Sequence, residues 1–103
     1  MSLGGDFGKP RPAVVIQTDR LAGLDTLIIV PFTTDLSDEL YLRPTIEPDG
    51  VNGLRAPSQA MVEKLTAVRH KRIGSRIGNL STADLARIDH VIGFVLGFRD
   101  GMN

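Results

Sequence analysis

The apolar positions of this chain fall into short runs of strand length, followed by a single long run with helical period. Residues 13–17 place Val14, Val15 and Ile16 between a proline and Thr18-Asp19, which is too short for a helix and reads as a buried strand. Residues 20–25, with Gly23, form a connection. A second apolar strand follows at 26–32, its far end marked by Pro31, which cannot donate to a ladder. After Thr33-Thr34-Asp35 comes a polar loop. Residues 40–46 then read as an edge strand, with Leu40, Leu42 and Pro44 on one face and Tyr41, Arg43 and Thr45 on the other. Residues 47–54 are dense in turn formers. In 58–63 the period is two, so Gln59, Met61 and Glu63 share one face and Ser58, Ala60 and Val62 the other. Residues 65–68 continue as an extended segment, 69–72 as a basic connection, and 73–80 as a short strand broken by Gly74 and Gly78.

The last element is the clearest. Ser81 is positioned as an N-cap with Asp84 three residues on, a short-armed capping box that also sets a negative charge at the positive helix end. Leu85, Ile88, Val91, Ile92, Val95 and Leu96 follow at spacings of three and four and form one stripe, with Gly97 and Gly101 bracketing the end. Short strands followed by one amphipathic helix predict a mainly β domain: a small, strongly bent antiparallel sheet or partial barrel with a C-terminal helix packed on it. Residues 1–103 form one domain, with residues 1–5 read as a cloning remnant that carries no fold argument.

Composition changes this picture in few places. The chain has 103 residues, so its core is modest and support from a partner would help. Formal net charge is zero, which argues against a surface that attracts nucleic acid everywhere but allows a local basic patch. Between Arg55 and Arg76 the cations Arg55, Lys64, Arg69, Lys71, Arg72 and Arg76 meet only Glu63, whereas the charges between Asp19 and Asp49 are mostly acidic. There is no cysteine, hence no disulfide and no thiolate metal site, and the two histidines, His70 and His90, lack partners at ligand spacing. No apolar run approaches the roughly 18 residues of a membrane span. The expected location is cytoplasmic.

The candidate chemistry starts at Gly8-Lys9-Pro10-Arg11-Pro12. The two prolines restrict the backbone on either side of Arg11, so its guanidinium is held at a strand's mouth with little freedom left to lose, in a form suited to a phosphate. A loop arginine that only solvates a strand end fits the same residues. Thr33 and Thr34 stand where a strand anchors a hydroxyl and a loop exposes it. Ser58 and Gln59 are ordinary strand residues by themselves. Glu63 is the one acid of the basic stretch, and a surface ion pair with Lys64 or Arg69 accounts for it equally well.

Four segments, in order, resemble the MazF/PemK-type toxins of bacterial toxin–antitoxin pairs. Gly8-Lys9-Pro10-Arg11-Pro12-Ala13-Val14-Val15-Ile16-Gln17 is similar to the family's opening signature, and Ile28-Ile29-Val30-Pro31-Phe32-Thr33-Thr34 to its next strand. Asn52-Gly53-Leu54-Arg55-Ala56-Pro57-Ser58 with the run through Glu63 to Val68 resembles a third segment, and Arg76-Ile77-Gly78-Asn79-Leu80-Ser81 the lead into the last helix. The resemblance covers nearly the whole chain. It implies an SH3-like sheet and a homodimeric, metal-independent endoribonuclease without a cofactor, which cleaves single-stranded RNA by attack of the ribose 2′-hydroxyl and is silenced by a cognate antitoxin.

By the same resemblance Arg11 is the principal catalytic residue, Thr33 its assisting hydroxyl and Glu63 a candidate base, with Lys9, Thr34, Ser58 and Gln59 along the RNA path. Arg11 suits transition-state stabilisation better than proton abstraction, because a guanidinium holds its proton too tightly to serve readily as a base. The family's usual first strand is not apparent before Gly8, which would expose a sheet edge. Two other readings stay open: a non-catalytic binding protein like the gyrase poisons of the same fold, and an inactive form that only binds antitoxin.

Overall fold

The computed structural model describes residues 2–4, 10–21, 23–37 and 42–98. These form β1 (Ser2–Gly4), β2 (Pro10–Val15), β3 (Thr26–Thr33), β4 (Thr45–Ile46), β5 (Ser58–Ala60), β6 (Thr66–Arg69) and α1 (Thr82–Leu96). All pairings are antiparallel, in the order β1-β2-β3-β5-β4, with β6 also on β3. The strongly curled sheet forms a half-barrel with the helix against it.

Strand β3 is central, and its second edge shows how the sheet curls. That edge pairs first with β6, up to Ile29 opposite Thr66, and then with β5, from Phe32 opposite Ala60. Between these two pairings β3 advances three residues while its partner chain takes six. The surplus is absorbed by a 3₁₀ turn at Val62–Lys64, which drives Val62 fully into the core. Pro31 sits at this break. It lies inside β3 rather than at its end, tolerated because its missing N–H falls where the partner strand is interrupted, while its carbonyl accepts the Met61 N–H at 2.9 Å.

The alternation of β2 and β3 buries both faces of the sheet. Val30, Phe32, Ile46, Leu54, Ala60 and Val62 pack against Ile88 and Val91 of the helix, with Val14, Ile16, Leu65, Leu80, Ile92 and Val95 around them. Ala13, Leu27 and Ile29 form a second cluster with Val15, Val68 and Ile73. The apolar stripe of the helix is thus sheet-facing as expected, except Leu96, which is exposed. Ser81 caps the helix by accepting the Asp84 N–H at 3.1 Å. At the other end Gly97 takes φ 81°, its N–H reaching Phe94 O and that of Phe98 reaching Gly93 O, the paired bonds of a Schellman ending.

Four expectations change. Residues 2–4, expected to carry no fold role, pair with β2 in register, Leu3 opposite Arg11. The edge strand expected at 40–46 is ordered as a strand only at Thr45–Ile46, with 38–41 outside the described residues. The strand expected at 58–63 stops at Ala60 because the 3₁₀ turn follows, so Glu63 no longer shares a face with Gln59. Residues 74–80 form no strand. Their backbone is instead packed against the turn at 51–53, with Asn79 N–H on Val51 O at 3.1 Å.

Candidate functional site

The two prolines around Arg11 shape the site. Val14 and Ile16 face β3 with their backbone groups, as the Ile16 N–H to Ile28 O bond at 3.1 Å shows, so positions 12 and 10 would continue the ladder on that side. Proline has no N–H to give. The ladder therefore ends at Ala13 opposite Pro31. Counting two residues on from that pair along each chain arrives at Arg11 and Thr33.

Beyond the end of the ladder lies a groove of about 710 Å³, lined by Arg11, Pro12, Thr34, Gly53, Leu54, Arg55, Ala56, Ser58 and Ile77. Its volume lies within the ~300–1,000 Å³ typical of ligand sites. An adjoining cavity of about 200 Å³ shares Pro12, Leu54 and Ile77 with it and reaches Arg76 and Asn79. The far wall depends on two glycines. Gly53 takes φ 76°, and a Cβ on it would lie 2.2 Å from Ile77 O; one on Gly78 would lie 2.2 Å from Val51 O. Backbone thus meets backbone where no other residue fits, and Arg55 and Ile77 are brought to the groove together.

Arg11 is exposed. Thr33 is half-buried at the end of β3, and its hydroxyl oxygen accepts the Asp35 N–H at 3.0 Å, which fixes the hydroxyl and leaves its proton free to be donated. Thr34 is exposed on the groove. Ser58, only 2% exposed, spends its hydroxyl proton on Ala56 O at 2.9 Å. Gln59 is 1% exposed and its amide is consumed internally: Oε1 accepts the Ser37 N–H at 2.8 Å, and Nε2 donates to Ser37 O at 2.9 Å and to Thr45 Oγ1 at 3.4 Å. It pins the chain after Thr34 through Ser37 and is not among the residues lining the groove. Lys9 lies outside the described residues.

Glu63 is not brought to the groove. The 3₁₀ turn carries it to Arg43, whose Nε and Nη2 both donate to Glu63 Oε2, the former at 2.8 Å. Partial burial pushes its carboxyl up, but the Arg43 hydrogen bonds, its own backbone and the charges of Arg43 and Lys64 outweigh this and hold it below the usual range. A carboxylate so stabilised is a weak proton acceptor. Arg55 was missed as a site residue, although the turn residues around it were a signal that its backbone is tightly set.

The basic stretch also divides. Arg55 and Arg76 come to the groove and its adjoining cavity, whereas Arg69, His70 and Lys71 line a separate depression with Leu24, Asp25 and Thr26 at the other end of β3. Among the described residues no helix is long and apolar enough to cross a membrane.

Comparison with known proteins bears on the family and the fold. The chain is 38% identical over 94 residues to the probable endoribonuclease MazF of Mycolicibacterium smegmatis, covering 91% of this chain and 86% of that protein. It is 26% identical over 95 residues to endoribonuclease MazF9 of Mycobacterium tuberculosis, covering 86% and 80%. The fold matches the Mycobacterium tuberculosis toxin MazF-mt6 with a TM-score of 0.78 at 21% identity, over 93% of this chain and 95% of that one. A mycobacterial endoribonuclease in complex with its cognate antitoxin matches with a TM-score of 0.77 at 14% identity, over 93% and 90%. The profile of PemK-like, MazF-like toxins of type II toxin–antitoxin systems spans residues 2–96, and this chain belongs to that family.

Proposed function

We propose that this MazF-like endoribonuclease toxin cuts single-stranded RNA in the groove between Arg11 and Thr34, acts in the cytoplasm, and is neutralised there by a cognate antitoxin. The observation that carries the reading is the convergence of an exposed, proline-framed arginine and Thr34 on one groove where the β2–β3 ladder stops, with Thr33 next to Thr34 at the end of β3. In the reaction the ribose 2′-oxygen forms a bond to the adjacent phosphorus as the bond from phosphorus to the 5′-oxygen breaks. The 2′-hydroxyl loses its proton and the leaving oxygen gains one, so the products are a 2′,3′-cyclic phosphate and a 5′-hydroxyl.

Negative charge builds on the non-bridging oxygens. Arg11 stabilises it with its guanidinium charge, and Thr33 adds a hydroxyl donor already oriented by the Asp35 N–H. Glu63 has no part in this scheme. Association into a homodimer belongs to the same proposal, supported by the exposed apolar side chains Phe94, Leu96 and Phe98 at the helix end. Incubating the purified chain with a long single-stranded RNA in EDTA tests the reading. Fragments bearing 5′-hydroxyl and cyclic phosphate ends are expected; intact RNA, with antitoxin or gyrase bound instead, would favour the non-catalytic alternative.

A further inference from the structure

The turn-rich loop before β5 is braced at several points, more than an exposed connection requires for its own sake. Asp49 Oδ1 accepts the N–H groups of Val51 at 2.9 Å and Asn52 at 2.8 Å. Asn52, 4% exposed, uses its amide in both directions, donating to Glu47 O at 2.8 Å and accepting the Leu54 N–H at 3.0 Å. Gly53 then lies against Ile77 with no room for a Cβ between them. The next residue but one is Arg55, exposed and on the same groove as Arg11.

Two other arginines are paired with carboxylates, Arg43 with Glu63 and Arg87 with Asp84, and among the described residues Arg11 and Arg55 are the arginines that line the groove. Among the described residues Arg11 and Arg55 have no carboxylate partner. A cation left unpaired on a rigid loop, beside a second unpaired cation, fits a ligand that repeats its negative charge along its length. We propose that Arg55 is a second phosphate-binding residue of the groove, holding a backbone phosphate next to the one at Arg11, and that Asp49 and Asn52 are positioning residues for it. This rests on the reading of the groove as an RNA site. It adds a binding contact made equally in ground and transition state, so Arg55 governs affinity where Arg11 governs rate.

The test uses a 2′-O-methyl RNA oligonucleotide, which has no attacking hydroxyl, with binding measured across a salt series for the wild type, Arg55→Ala and Arg55→Lys. Arg55→Ala should weaken binding roughly tenfold at low salt and reduce the slope of log K against log salt by about 0.7, the contribution of one phosphate on a single strand. The loss should be the same for two unrelated sequences, because a phosphate contact reads no base. Arg55→Lys should keep the slope. In cleavage of unmodified RNA, Arg55→Ala should raise KM with kcat within about threefold, and Asp49→Ala should do the same more weakly.

A wild-type chain that binds and cleaves while Arg55→Ala shows unchanged affinity and slope overturns the proposal and leaves the groove's function standing. Equal losses in Arg55→Ala and Arg55→Lys, or a KM effect without a change of slope, also overturn it, the second pointing to a base or sugar contact rather than a phosphate contact. A wild-type chain that neither binds nor cleaves RNA overturns the reading of the groove itself.

Discussion

Arg43 and Arg11 carry the same group and have opposite circumstances. The first closes on Glu63 across 20 positions of sequence, and the second opens onto a groove with no acid opposite it among the described residues. If Glu63 is a structural partner and not a proton acceptor, Glu63→Gln should leave RNA cleavage within about threefold of wild type, since an exposed ion pair contributes only ~0–1 kcal/mol. A hundredfold loss in kcat with the fold intact would restore it as a base. The site was legible in sequence where it depends on neighbours: prolines flanking Arg11, threonines at a strand end. It was not legible at Gln59 and Glu63, whose surroundings are set by Ser37 and Arg43, residues brought close only by the folded sheet. Asp49 gives a second prediction at this scale. Hydrogen bonds from Val51 and Asn52 hold its carboxyl below the usual range, so its contribution to the loop is complete above the unfolded pKa of about 3.9 and is lost as pH falls through the lower folded value. Amide exchange at Val51 and Asn52, corrected for intrinsic rates, should lose protection below about pH 4 in the wild type and show no such step in Asp49→Asn.

Among the elements, the helix was the easiest to read because its cap, its stripe and its glycine ending are all local in sequence. Ile88 is fully buried at the centre of the core between helix and sheet. Ile88→Ala should therefore destabilise the chain by about 2–5 kcal/mol, measured by urea denaturation, whereas a change under about 0.5 kcal/mol would place the stripe in solvent. The strands were harder. Period-two alternation over 58–63 is real through Ala60, but nothing local announces that three residues beyond it coil into a 3₁₀ turn. That turn exists because one strand, β3, is paired along one edge by two segments out of register with each other. Likewise the glycines at 53 and 78, read from sequence as breakers of regular structure, are a matched pair that allows two backbones to touch.

Over the whole molecule, zero net charge conceals a sorted surface, with one set of cations at the groove and another at the far end of β3. Where the sequence led to the expectation of no strand ahead of the glycine-rich loop, β1 pairs with β2 at positions 10–12. Ala13 and Val15 have their backbone groups on that same side, where among the described residues no strand meets them, and both line the 200 Å³ cavity. A strand supplied there by an added N-terminal segment of alternating valine and threonine should raise the denaturation midpoint and reduce association through the edge. Equal midpoints and equal sedimentation with and without the segment would show that the edge is already satisfied.

The account turns on Arg11 as the charge stabiliser of RNA cleavage. Single-turnover cleavage of one RNA by the wild type and by Arg11→Ala, each shown to be folded by thermal unfolding, measures this directly. Loss of that donor should cost about 3–4 kcal/mol of barrier, a rate at least a hundredfold lower at unchanged stability. A folded Arg11→Ala that cleaves as fast as the wild type would contradict it.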